Sequence, residues 1–154
     1  MLKELWDSTG RVFMAVYCGG AAFAPGHGHV TYDELLTEVR VPVELVIAVS
    51  MGNDFYAGKK GARVWNDAME KAMTEFGQQV SAKAKHAYVV LGASAATWQY
   101  ERSMTREMQA LYDADVRRGR AVFGALGIAV VDGAAELGRL LPVSYTHLTL
   151  PTKA

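Results

Sequence analysis

A glycine, an asparagine and an aspartate follow one another shortly after an apolar run of the sequence ends. The run covers residues 45–49 and leads, two residues later, into Gly52-Asn53-Asp54. A side-chain amide aimed at a carbonyl oxygen can stabilise the negative charge that develops there during acyl transfer, by about a hundredfold or more in rate. Asn and Asp also favour turns, because their side chains hydrogen-bond nearby backbone. Asn53 is therefore either an oxyanion donor or, with Asp54, a turn and capping residue.

A glycine pair, Gly19-Gly20, follows another apolar run at residues 12–18. Backbone amides exposed by glycine at a helix N-terminus can cradle a phosphate. The pair is not part of a Gly-x-Gly-x-x-Gly pattern and has no Lys-Ser or Lys-Thr partner, so a nucleotide site is weakly supported.

Cys18, His27 and His29 are further candidates for chemistry near these glycines. Cys18 ends an apolar run without a basic neighbour, which is typical of a small buried core residue and not of a thiolate nucleophile. The two histidines could bind a metal, but without nearby acidic or thiol partners they fall short of a usual ligand set. We therefore expect no metal site and no cofactor.

Four short apolar runs ended by Gly, Ser or Asp are typical of buried strands, and helical stretches lie between them. The predicted strands are 12–18, 44–50, 87–93 and 127–133, and the predicted helices are 32–40, about 62–85 and about 101–126. Nearly continuous apolar strands indicate a parallel sheet that helices cover on both faces. The order predicts an α/β fold, a three-layer doubly wound parallel sheet of the flavodoxin-like kind. In such sheets ligands bind at the carboxyl ends of the strands.

The predicted helices carry local patterns of their own. Thr31, followed three residues later by Glu34, has the spacing of a capping box at the start of the first helix. The second and third helices each carry an apolar stripe that predicts their core face. These stripes are Val64, Ala68, Ala72, Phe76 and Val80 in the second helix, and Met104, Met108, Leu111, Ala114 and Val122 in the third.

Composition excludes several classes of protein. The 154 residues suffice for one domain, and 16 Lys and Arg balance 16 Asp and Glu, so neither disorder nor a nucleic-acid partner is indicated. The apolar runs are far shorter than the roughly 20 residues that a membrane span needs. The single cysteine cannot form an internal disulfide, and the cellular compartment stays open.

Residues 11 to about 140 resemble the SGNH, or GDSL-type, hydrolase family in the order and spacing of their predicted elements. Met51-Gly52-Asn53-Asp54 is similar to the family's Gly-x-Asn-Asp block, with Met51 in place of the leading glycine. The resemblance implies a serine hydrolase that cleaves small-molecule esters of lipids or acylated sugars. It implies that Asn53 is an oxyanion donor and that a backbone amide of Gly19 or Gly20 is another.

The nucleophile and the base that the family uses are not identified in this chain. Asp7-Ser8 shares letters with the family's Gly-Asp-Ser block but follows a helix-like stretch, so a turn is the default interpretation of Ser8. The family's Asp and His, three residues apart, would lie beyond Leu141. Asp132 is similar to an earlier strand-end aspartate of the family, and the position three residues later is Ala135. Whether the chain is an enzyme is thus left open, and we expect it to be inactive by itself.

The composition changes at residue 142, where Ala, Gly and Val give way to Thr, Leu and Pro. Residues 142–154 resemble translated sequencing-adapter sequence, and we exclude them, with His147, from the fold. We predict one partial α/β domain over residues 1–141 and a non-native tail over 142–154.

Trp98 and Tyr100, after the third predicted strand, could line an acyl or sugar pocket or cover the core.

A second interpretation is a non-catalytic doubly wound module that binds a small ligand or a partner through the same strand-end loops. The flanking coding sequence discriminates between the two. A Gly-Asp-Ser upstream and an Asp-x-x-His downstream would favour the hydrolase. A natural start at Met1 and a natural stop near Leu141 would favour the binding module.

Overall fold

The computed structural model describes residues 20–50, 53–54, 65–92 and 105–136 of the chain. These segments contain five strands and three helices, and residues 133–136 begin a further helical turn. In chain order the elements are β1 (Ala21–Ala22), β2 (Val30–Thr31), α1 (Tyr32–Thr37), β3 (Val43–Val49), α2 (Asp67–Lys83), β4 (Ala84–Leu91), α3 (Arg106–Ala125) and β5 (Ala129–Asp132).

The strands form two parallel sheets. β3, β4 and β5 lie side by side in that order, with Ile47 opposite Tyr88 and Tyr88 opposite Ala129. The short strands β1 and β2 pair separately, also in parallel. Parallel sheets with intervening helices confirm the predicted α/β class and agree with a flavodoxin-like three-layer fold. Because the strands are parallel, the carboxyl ends of β3, β4 and β5 lie along one edge of their sheet.

The three longer strands and the three helices lie where the sequence predicts them, with ends that differ by up to five residues. The predicted strand at residues 12–18 lies outside the described residues. β1 and β2 were not predicted, because two residues each are too few to show a periodicity. β4 begins at Ala84, immediately after the last residue of α2, so no loop separates the two elements.

The buried core lies between the described helices and one face of the three-stranded sheet. Val89 and Leu91 of β4 are fully buried there, against residues of α2 and α3. The opposite face of this sheet exposes apolar side chains, including Ile47 and Tyr88. The described helices therefore cover one face of the sheet and form, with the sheet, two of the three predicted layers.

The predicted helix stripes are correct in part, and their members Val64 and Met104 lie outside the described residues. In α2, Ala72, Phe76 and Val80 are buried as expected, but Ala68 is exposed and Met69 is buried instead. In α3 the buried positions are Tyr112, Asp115, Val116, Gly119 and Phe123. The predicted positions Met108, Leu111, Ala114 and Val122 are half-buried. The buried face of α3 is turned by about one residue from the predicted stripe, because a stripe chosen for apolar letters passed over a tyrosine, an aspartate and a glycine that tertiary packing buries.

The capping box is confirmed and fixes the start of α1. The Thr31 hydroxyl accepts a hydrogen bond from the Glu34 amide at 3.2 Å, and the Glu34 carboxylate accepts one from the Thr31 amide at 2.6 Å. Tyr32, the first residue of α1, then donates its hydroxyl hydrogen to the Val49 carbonyl at 3.0 Å. The start of α1 is thereby held at the carboxyl end of β3.

Candidate functional site

Asn53 lies just beyond the carboxyl end of β3, and its side chain reaches the strand β1. The half-buried Asn53 amide donates from Nδ2 to the Ala21 carbonyl oxygen at 2.8 Å. Ala21 directly follows Gly20, one of the two glycines that the sequence singled out. An Asn amide carries two N–H hydrogens, and this hydrogen bond fixes the plane in which both lie. The structure thus brings Asn53 to Ala21, the residue after Gly20, across 32 residues of sequence.

Asp54, the next residue, is fully buried and accepts hydrogen bonds from the loop that follows β1. The Phe23 amide donates to Oδ2 at 2.7 Å, and the Ala24 amide donates to Oδ1 at 2.9 Å. A buried backbone N–H without an acceptor costs about 1 to 3 kcal/mol. The carboxylate therefore satisfies two amides of a loop that would otherwise have to find other acceptors.

His27 adds a third contact to the Asp54 carboxylate. Its Nδ1 lies 3.3 Å from Oδ1 of Asp54, and its side chain is 19% exposed. Because a carboxylate only accepts hydrogen bonds, Nδ1 is the donor when Asp54 is ionised. Burial raises the pKa of the Asp54 carboxyl, and the hydrogen bonds from Ala24, Phe23 and His27 oppose that rise without cancelling it.

Gly20 has a backbone conformation that side chains rarely adopt. Its φ is +88°, and a Cβ built there would lie 2.9 Å from Cδ2 of the His29 ring. The Gly20 carbonyl accepts a hydrogen bond from the His29 amide at 3.0 Å, which closes the loop between β1 and β2. Glycine is required here for the positive φ, whereas the nearby His29 ring belongs to an exposed side chain that can turn away from an added Cβ.

Phe23 anchors this loop in the core. Its ring packs against Tyr32, Phe76 and Phe123 with centroid separations of 4.5, 5.3 and 5.6 Å. Aromatic pairs at such distances contribute about 0.5 to 1.5 kcal/mol each beyond their area burial. The backbone that Asp54 binds is therefore fixed from the other side by packing against α1, α2 and α3.

The resulting corner at the ends of β1 and β3 gathers polar groups within a well-packed frame. It holds the Asn53 amide, the Asp54 carboxylate and the His27 imidazole against the segment that follows Gly20. Such a corner can present neutral N–H donors to an oxygen that gains negative charge. We call this set, residues 20–27 with Asn53 and Asp54, the β1–β3 corner.

The ends of β4 and β5 form a second corner, which a buried phenol fills. The Tyr112 hydroxyl lies 3.1 Å from the Leu91 carbonyl oxygen and 3.1 Å from Oδ1 of Asp132, and the Ala134 amide donates to it at 3.4 Å. Burial and the neighbouring Asp132 carboxylate raise the pKa of Tyr112. Asp132 also accepts a hydrogen bond from the Ala135 amide at 3.0 Å, so it caps the helical turn at residues 133–136.

Several sequence candidates lie outside the described residues. These are Ser8, Cys18, Gly19, Met51, Gly52, Trp98, Tyr100, His147 and the predicted tail at 142–154. His27 and His29 are described, and His27 is directed to Asp54. Within the described segments no three metal-ligating side chains come together. None of the helices in these segments combines the length and apolar composition of a membrane span.

Sequence reasoning missed the partners of Asp54. Asn53 and Asp54 lie in a turn, as one of the two interpretations predicted, but their side chains bind backbone about 30 residues earlier. It also missed Tyr112, a core phenol with hydrogen-bond partners at two strand ends. No periodicity marks such contacts, because they depend on which strand ends the fold brings together.

No family model, curated protein or solved structure matches the chain.

Proposed function

We propose that this chain carries the oxyanion-stabilising part of a serine ester hydrolase of the SGNH or GDSL type, acting on ester bonds of lipids or acylated sugars. The observation that carries the proposal is the position of the Asn53 amide, whose Nδ2 lies 2.8 Å from the Ala21 carbonyl, one residue after Gly20. Two segments that the family resemblance assigns to one site therefore meet in the β1–β3 corner. The Met51-Gly52-Asn53-Asp54 motif supports the same assignment.

The chemistry follows from where negative charge develops. When a serine oxygen adds to the ester carbonyl, the C=O π bond opens and the carbonyl oxygen becomes an oxyanion, while a base takes the serine proton. The proposal assigns one N–H of Asn53 and a backbone N–H of Gly19 or Gly20 to that oxyanion. As the tetrahedral intermediate collapses to an acyl-serine, the alkoxide leaves with the proton from the base, and a water molecule then releases the acid and restores the serine by the same sequence of steps. The donors act on the transition state because their hydrogen bonds strengthen as the charge grows.

The rigidity of the corner supports this role. Preorganised donors stabilise a transition state most when they need no rearrangement during the reaction. Here the hydrogen bond to Ala21 orients the Asn53 amide, and the Phe23 ring packs the facing loop into the core. A turn residue that only capped its own neighbours would not need either contact.

The test uses the natural protein, expressed from its complete reading frame, with p-nitrophenyl butyrate as substrate and a fluorophosphonate probe for a reactive serine. We expect Asn53→Ala to lower kcat by about 100- to 1,000-fold with little change in KM, since one oxyanion donor is lost. Asn66→Ala is the matched control. Its side chain caps α2 by accepting from the Met69 amide at 2.9 Å, so it should cost about 1 kcal/mol of stability and leave kcat unchanged.

Two outcomes would overturn the proposal. If the probe labels no serine and the ester is not cleaved, the non-catalytic binding module becomes the better interpretation of the corner. If the protein cleaves the ester and Asn53→Ala retains the wild-type kcat, the hydrolase stands but the oxyanion role of Asn53 is wrong.

A further inference from the structure

Two consecutive residues, Asn53 and Asp54, hold the β1 loop at several points. Asn53 binds the Ala21 carbonyl, while Asp54 binds the Phe23 and Ala24 amides and the His27 ring. The hydrogen bonds run in opposite directions, because Asn53 donates to the loop and Asp54 accepts from it. Because Asn53 and Asp54 are adjacent, a movement of the loop away from Asp54 also moves the Ala21 carbonyl that orients the Asn53 amide.

We infer that Asp54 is the positioning residue of the oxyanion site: its buried carboxylate fixes the loop after β1 at the register in which Asn53 reaches Ala21. This inference rests on the proposed function for its catalytic consequence. Asp54 does not touch the substrate. It acts through the loop and through the side chain next to it.

The geometry explains why this position holds a carboxylate. Three donors converge on Asp54, one on Oδ2 at 2.7 Å and two on Oδ1 at 2.9 and 3.3 Å. An ionised carboxylate has two acceptor oxygens and no hydrogen, so it can serve all three. An asparagine has one acceptor oxygen, and its NH₂ group would face an N–H that also donates. The isosteric change Asp54→Asn therefore disturbs the loop while keeping the size of the side chain.

The position of Asp54 in the fold also explains how it can fix backbone 30 and 31 residues earlier in the chain. Phe23, whose amide binds Asp54, is packed among the rings of Tyr32, Phe76 and Phe123. The loop is thus held by the core on one side and by the carboxylate on the other. The core holds the Phe23 ring, and the carboxylate sets the direction of the backbone between residues 21 and 27.

The experiment compares Asp54→Asn with Asp115→Asn in the natural protein. Asp115 is also a buried aspartate, but it lies on α3 and not at a strand end, so it controls for the loss of a buried carboxylate. We expect Asp54→Asn to lower kcat by about ten- to a hundredfold per active site titrated with the fluorophosphonate probe, because a small misplacement near the chemistry has effects of this size. KM should stay the same, and Asp115→Asn should keep kcat.

A second readout does not depend on activity. In ¹H–¹⁵N spectra, the side-chain amide signals of Asn53 and the backbone signals of Phe23 and Ala24 should move in Asp54→Asn and stay in place in Asp115→Asn. His27→Ala removes one of the three donors and serves as a milder variant if Asp54→Asn does not fold. It should move the same Asn53 signals and lower kcat by a few-fold.

The inference is wrong if the Asn53 signals stay in place in the folded variants, or if kcat per titrated site is unchanged while only stability falls. It fails differently from the proposed function. If Asn53→Ala has no effect on hydrolysis while Asp54→Asn still moves the Asn53 signals, Asp54 positions the loop as inferred, but Asn53 is not an oxyanion donor.

Discussion

The two strand-end corners of the molecule use a carboxylate in different ways. In the β1–β3 corner, Asp54 is fully buried and binds backbone 30 and 31 residues earlier in the chain. In the corner at the ends of β4 and β5, Asp132 is half-buried and binds the Ala135 amide three residues later, together with the Tyr112 hydroxyl. One acid joins distant segments, and the other mainly caps its own helix.

The difference shows how one edge of a sheet can serve two purposes. In the corner around Tyr112, a phenol ring fills the space between the strand ends and binds the Leu91 carbonyl. In the β1–β3 corner the aromatic ring of Phe23 points into the core, and the polar groups of Asn53 and His27 remain partly accessible. We therefore expect mutations to affect stability in both corners but chemistry in the β1–β3 corner.

The largest expected effect compares the two acids directly. Asp54→Ala leaves the buried Phe23 and Ala24 amides without their acceptor, so we expect the free energy of unfolding to fall by about 4 kcal/mol. Asp132→Ala removes a helix cap and one of the two acceptors near the Tyr112 hydroxyl, and should cost about 1 kcal/mol. Urea unfolding followed by circular dichroism measures both. Equal losses in the two variants would mean that the distinction between the corners is wrong.

The next prediction tests how tightly the phenol fills its corner. Gly92 follows β4 with a φ of +63°, and a Cβ there would overlap the Tyr112 ring. Gly92→Ala should therefore lower the free energy of unfolding by about 3 kcal/mol, through strain and overpacking. Gly124→Ala is the matched control on α3, because a Cβ there meets no atom within 4 Å. It should stabilise the protein by about 0.5 to 1 kcal/mol. If Gly92→Ala is as stable as wild type, the corner is not closely packed.

The smallest expected effect concerns Asp115, a buried acid outside both corners. Burial raises its pKa from 3.8 to about 6, and Arg118 opposes the rise. The folded state then keeps a proton that the unfolded chain releases, so stability should fall as the pH rises from about 4 to about 6 and stay lower above it. With allowance for solvent screening, the free energy of unfolding falls by about 2 kcal/mol over this pH range.

Thermal unfolding from pH 4 to pH 7.5 checks this expectation against two variants. Asp115→Asn should make the fall smaller than in wild type, since the raised pKa of Asp54 acts in the same direction, and should be more stable than wild type at pH 7.5. Asp113→Asn removes the same charge from an exposed position of α3 and should keep the wild-type slope. A wild-type slope retained in Asp115→Asn would assign the pH dependence to other groups.

Much of the fold could be predicted because its patterns are local. The apolar runs that end near Ser50 and Asp132 predict β3 and β5, and the Thr31–Glu34 spacing predicts the start of α1. The exact helix faces could not be predicted from the same letters. Asp115 is buried and Ala68 is exposed, because packing between α2 and α3 decides which positions face inward.

Asn53 could be singled out from its place after a strand, but its partner Ala21 could not, and neither could the meeting of Asp54 with His27. A hydrogen bond across 30 residues leaves no trace in local periodicity.

By itself, the sequence determined the strand and helix types, the parallel α/β class and the choice of Asn53 as a candidate donor. Each of these depends on residues within a few positions of one another, where backbone sterics and apolar spacing act directly. Tertiary structure alone decided that Asp54 serves the loop after β1 and that Tyr112 joins β4 to β5. Those contacts form only when folding brings distant strand ends together and removes their polar groups from water. The buried polar groups must then form hydrogen bonds with the partners that the fold places beside them.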